Sequence, residues 1–313
     1  DGVGGSNTST HYGIYITGGT NTIYENVIRN VSVTGAHYPF YVSGGTNTIY
    51  NNTINNVATT TSSLYAMYMT GGTNTVYGMT VYNLSTTTGG QAGIYMSGGA
   101  TEVYNSTFRN FSATGAATIQ GAYVGTGNHI VRNNSFYTYS TLGTIYGVYV
   151  AGGTTHYVHA NYIYDMISNS TGALFATGIM IGSATNYVYN NMIYDLKAPT
   201  ATSAPQVRGI TVTSGTAVNV WNNSVLLNAT GTATNFGTAA LYTSHSSTTG
   251  ALDLKNNIFV NKSTAAGTGK TVALHKSTPG FTVFKADSNK NVYYSNGILG
   301  LFGTTEYADL AAY

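Results

Sequence analysis

The sequence predicts an all-β chain wound as a right-handed, single-stranded parallel β-helix with three strands per coil and about ten coils. Three observations carry this expectation. One motif returns nine times, each return holds three short alternating segments, and no segment has a helical period.

The motif is clearest at Gly18-Gly19-Thr20-Asn21-Thr22-Ile23-Tyr24, repeated at Gly44-Gly45-Thr46-Asn47-Thr48-Ile49-Tyr50 and Gly71-Gly72-Thr73-Asn74-Thr75-Val76-Tyr77. Its apolar residue defines a column: Ile23, Ile49, Val76, Val103, Val131, Val158, Val188, Val220 and Leu254. The intervals grow from 26 to 34 residues, too short for a unit that buries its own core. A second segment runs through Gly13-Ile14-Tyr15-Ile16, Ala66-Met67-Tyr68-Met69 and Gly147-Val148-Tyr149-Val150. A third apolar column reads Ile28, Ile54, Val81, Phe108, Phe136, Ile163, Ile193, Val225 and Phe259. Alternation over four to six residues means strands. Stacking each strand on its counterpart in the next coil, about 4.8 Å away, buries the inward files. Such parallel crossovers are right-handed. One domain is expected over residues 1–313, with regular coils over about 11–275 and a degraded final coil and C-terminal segment over 276–313.

Composition narrows function. Only 6% of the 313 residues are charged, and the formal charge is +2, so no basic field exists for nucleic acid. No run approaches the roughly 20 apolar residues of a helical membrane span. With no cysteine, disulfides and thiolate chemistry are excluded.

The Asn-Asn-apolar pattern at Asn51-Asn52-Thr53-Ile54, Asn190-Asn191-Met192-Ile193, Asn222-Asn223-Ser224-Val225 and Asn256-Asn257-Ile258-Phe259 resembles the parallel β-helix repeat of the pectate-lyase-like superfamily. Residues 190–313 resemble, more narrowly, repeat regions of large secreted surface proteins of Bacteroidota, through Tyr194-Asp195-Leu196-Lys197-Ala198-Pro199 and Leu252-Asp253-Leu254-Lys255-Asn256-Asn257-Ile258. That resemblance implies an extracellular or cell-surface location reached by the type IX secretion route. Separately, residues 1–10 hold no obvious amphipathic cap and the sequence starts without Met or a signal peptide, so the expectation is a part of something longer or a subunit that stacks end to end.

Two polar columns are expected to form ladders. One is Asn26, Asn52, Met79, Ser106, Asn134, Asn161, Asn191, Asn223 and Asn257, weakened at Met79 and Ser106. The other is Asn30, Asn56, Asn83, Asn110, Thr138, Asp165, Asp195, Leu227 and Asn261. Strand alternation turns two aromatic columns outward: Tyr15, Tyr41, Tyr68, Tyr95, Tyr123 and Tyr149, and then Tyr24, Tyr50, Tyr77, Tyr104, Arg132, His159, Tyr189, Trp221 and Lys255. They are candidate stacking columns that shield the sheets, and candidate docking tracks for glycans. A loop also lengthens along the chain, from residues 32–37 to 197–207 and 229–238, where repeat proteins place binding functions.

Glycoside hydrolysis needs two carboxylates at defined separation, and Asp165 with Asp195 is the candidate pair. Their column is otherwise Asn or Thr, which reads as a turn ladder. The Asn-Thr-Asp, Asp-Asp, His-Gly and Arg-x-Lys elements of polygalacturonases are missing. His156 and His159 fall on opposite strand faces, a poor metal pair. Thr20/Thr22, Thr46/Thr48 and Thr73/Thr75 form an outward pattern like that of ice-binding solenoids, but it fades after three coils. The expectation is a non-catalytic structural or adhesive rod without metal or cofactor, partnered by itself or by surface glycans. Polysaccharide binding or degradation is the alternative.

Overall fold

A computed structural model describes residues 4–5, 8–202, 204–245 and 249–309; most of residues 1–7 and all of 310–313, named in the expectations above, lie outside it. Three sheets run the length of a solenoid. The first face begins with His11–Ile16 and stacks eleven parallel strands, ending at Ile298–Phe302. Thr20–Tyr24 opens the second face, of nine strands, and Val27–Val33 the main run of the third, on whose first strand Gly4–Gly5 pairs. No helix occurs among the described residues, and none is long and apolar enough to cross a membrane. The solenoid thus has eleven coils on its first face against the ten expected. The final coil keeps its first-face and third-face strands, Ile298–Phe302 and Val292–Ser295, and loses only the second.

The register follows the repeat. Ile23 pairs with Ile49 and Ile49 with Val76; the latter two are fully buried, while Ile23 is half-covered in the first coil. One contiguous apolar core runs up the interior.

The Asn-Asn pair has a division of labour. Its first member takes the left-handed conformation that turns the second face into the third: φ is +52° at Asn51, +56° at Asn190, +53° at Asn222 and +56° at Asn256. Asn tolerates this region better than other side-chain-bearing residues. The second member then points inward. Asn161 accepts from the Asn134 main-chain N–H at 3.1 Å, and its Nδ2 donates to Val131 O at 2.9 Å and to Asn191 Oδ1 at 3.0 Å. The same pattern climbs through Asn223 and Asn257 to Asn291. Ser106 keeps the ladder by accepting from Met79 N at 3.1 Å, whereas Asn52, bonded to Asn26 and Ile23 in the coil before, meets in the next coil the Met79 thioether, 3.8 Å away.

The other polar column needs a correction. Asn30, Asn56, Asn83, Asn110, Thr138, Asp165 and Asp195 have positive φ and kink the third-face strand at its centre. Asn amides link across coils at 2.8–3.1 Å. Leu227 and Asn261 do not share this geometry. Both are fully buried, and Asn261 Nδ2 donates to Val272 O at 2.8 Å inside the core. Without the kink, simple alternation turns this position inward.

The long loops are packed as well. Phe236 in the 229–238 loop is completely buried, and Gln206 Nε2 reaches Asn235 Oδ1 at 3.1 Å, so one loop braces the next.

Candidate aromatic binding face

On the first face, each strand places two consecutive residues inward, Gly13 and Ile14 in the first coil and their equivalents above. The inner position must be small: a Cβ built on Gly147 lies 2.4 Å from Ile163 Cγ2, and one on Gly178 lies 2.5 Å from Ile193 Cγ2. This double-inward step makes residues 12 and 15 share the outer surface, with ring centroids 4.9 Å apart. A strict two-residue period excludes that, so sequence reasoning missed Tyr12, Tyr38 and Tyr65. The small-residue column Gly13, Pro39, Ala66, Gly93 and Gly121 was the available signal.

Two tyrosine columns therefore pave this face. Tyr15 and Tyr41 stack at 4.9 Å, Tyr65 and Tyr95 at 4.3 Å, and Tyr95 and Tyr123 at 4.0 Å, each pair within 10° of parallel. Tyr68 differs: its contacts with Tyr38, Tyr41, Tyr65 and Tyr95 are all edge-type, at 64–89°. Tyr149 also meets Tyr123 edge-on. Burial, then the neighbouring phenols, pushes the Tyr38 hydroxyl up to about 12, and burial drives Tyr95 upward too. These phenols stay protonated over the physiological range.

The second-face column is more regular. Tyr24, Tyr50, Tyr77 and Tyr104 stack at 5.0–5.1 Å within 15° of parallel. Arg132 continues it 4.0 Å above the Tyr104 ring while pairing with Glu102 at 2.6 Å. His159 then stacks on Tyr189 at 4.5 Å. Trp221 meets Tyr187, not Tyr189, at 68°. Rings stacked face on face hide those faces from a ligand and present edges and hydroxyls. A third ladder, Tyr137, Tyr164 and Tyr194 at 4.8 Å spacing, lies on the third face.

The candidate carboxylates are engaged separately. Asp165 Oδ2 accepts from Thr138 Oγ1 at 2.7 Å, and Asp195 pairs with Lys197 at 2.7 Å. His156 is fully buried and His159 faces out, as alternation requires. The partner of His156 lies one coil away: His129 and His156 stack at 5.6 Å inside the core. They occupy the inward Asn position of the Gly-Gly-Thr-Asn-Thr motif, where Asn47 Nδ2 donates to Asn74 Oδ1 at 2.8 Å. Burial lowers both rings, His129 to about 4. No group of three or more His, Cys, Asp or Glu with metal-binding placement occurs among the described residues.

Residues 6–161 match the family model described as right handed beta helix region. No curated protein matches the chain. No solved structure matches it either. Axial ladders, stacked parallel strands and the matched region together make the chain a right-handed parallel β-helix repeat protein.

Proposed function

We propose that the chain is a non-catalytic extracellular rod with a structural and adhesive role. The observation that carries this reading is where the polar and aromatic side chains spend their contacts. Asn, His and Tyr columns bond or stack along the axis, coil to coil, and so stiffen the solenoid. The resemblance of residues 190–313 to secreted Bacteroidota surface proteins supports a cell-surface location and type IX export. A second reading, polysaccharide binding along the first face, is favoured by Tyr68, whose edge-type contacts interrupt the column's stacking. The test is incubation with a panel of insoluble polysaccharides, following both retention and soluble sugar. Retention without product, weakened in Tyr68→Ala, supports an adhesive rod. Product that disappears in Asp165→Asn or Asp195→Asn overturns it in favour of an enzyme.

A further inference from the structure

The outer surface of the third face changes character along the rod. After Val27, which is exposed in the first coil, the outward residues of this column in the early coils are Thr53, Thr80, Thr107 and Ser135. Further on, Tyr162, Met192, Leu226, Ile258, Val292 and Tyr294 are each 44–55% exposed. The backbone changes within this run, after the coils of Tyr162 and Met192, which still carry the kink at Asp165 and Asp195. After Asp195 the left-handed kink is lost, and Ser224–Leu227, Ile258–Asn261 and Val292–Ser295 run as simple four-residue strands. Those three strands carry no charged residue; Lys262 sits just beyond them.

We propose that this straight apolar face is a lateral dimer interface, occupied by the same face of a second copy. Area supports it. Taking about 150–200 Å² for a fully exposed side chain of this size, the six leave roughly 500 Å² open. That is near the top of the roughly 300–600 Å² patch that a monomer tolerates. Two copies would bury about 1,000 Å² through these side chains, the level that a specific interface needs to clear. Chemistry selects the occupant. A sugar needs polar partners beside the rings, and here it finds little beyond Ser224 and the hydrogen-bonded Tyr294–Asn296 pair; an anionic lipid surface needs a basic field, and Lys262 lies at the margin of these strands rather than among them. Straight apolar sheets pack on one another about 10 Å apart, and the molecule itself supplies such a surface.

This adds a partner to the rod reading without depending on it, since an enzymatic rod could pair in the same way. Sedimentation velocity of the purified chain from low to high micromolar concentration tests it, with wild type beside Thr80→Lys and Leu226→Lys/Ile258→Lys. Wild type and Thr80→Lys are expected to dimerise with Kd at or below about 10 µM, and the double variant to remain monomeric with unchanged circular dichroism. Ile258→Thr, which places there the residue type of earlier coils, is expected to weaken the dimer at least tenfold. A monomeric wild type, or a dimer that survives the double substitution, overturns the proposal.

Discussion

Replacing His129 and His156 together by Asn tests the interior ladder through its pH dependence. His129 Nδ1 accepts the Thr101 N–H at 3.2 Å, while Nε2 lies 2.8 Å from Thr126 O. His156 repeats this with the His129 N–H at 3.2 Å and Gly152 O at 2.6 Å. Both pairs of contacts suit a neutral ring carrying its proton on Nε2; protonating Nδ1 would break a main-chain hydrogen bond inside the core. Burial accordingly lowers His129 from 6.5 to about 4. The unfolded chain therefore takes up this proton first. Its stability contribution is complete above about pH 6.5 and is lost as pH falls toward 4. At pH 5 the loss is roughly 2 kcal/mol for His129 alone. Asn already fills this position in the coils of Asn47, Asn74 and Asn186, so the double variant should match wild type at pH 7.5 within about 1 kcal/mol. By pH 5 it should be the more stable by roughly 2 kcal/mol or more. Urea unfolding at the two pH values measures this. His37 and His275, also lowered to about 4 by burial, are present in both proteins and cancel. Parallel pH profiles would refute the argument.

Asn161→Ala removes the acceptor for Asn134 N and the donor for Val131 O, and should cost roughly 2–4 kcal/mol in urea unfolding; a loss under about 1 kcal/mol would mean water substitutes for the ladder. Gly147→Val forces a side chain against Ile163 and Gly178 O and should destabilise by at least about 1–3 kcal/mol. Gly18→Val, with no atom within 4 Å of the added Cβ, should lower the melting temperature far less. Asp165→Asn should change stability by no more than about 0.5 kcal/mol, because an amide oxygen can still accept from Thr138 at the surface.

Coil register was legible because repeat spacing and two-residue alternation speak of the same geometry; Ile23, Ile49 and Val76 fall in one file for that reason. The departures come where local backbone breaks the alternation. The double-inward step at Gly13 and Ile14 brings Tyr12 beside Tyr15, and the loss of a left-handed residue turns Leu227 and Asn261 inward. The His129–His156 pair was hidden by comparing His156 with a neighbour along the strand, when its partner lies 27 residues away. Thr305–Tyr307 escaped notice because a three-residue strand has no period to read. What holds it is the Gly303 turn, at φ +62°, and the packing of Tyr307 on Phe302 at 5.2 Å.

That short strand gives the solenoid a polarity. It runs antiparallel to Ile298–Phe302 and occupies the edge where a twelfth parallel strand would bond. Any chain arriving there finds the first-face amide register already closed by a stitch of opposite direction. Lengthening by coaxial addition at this end would first require that stitch to be unpicked.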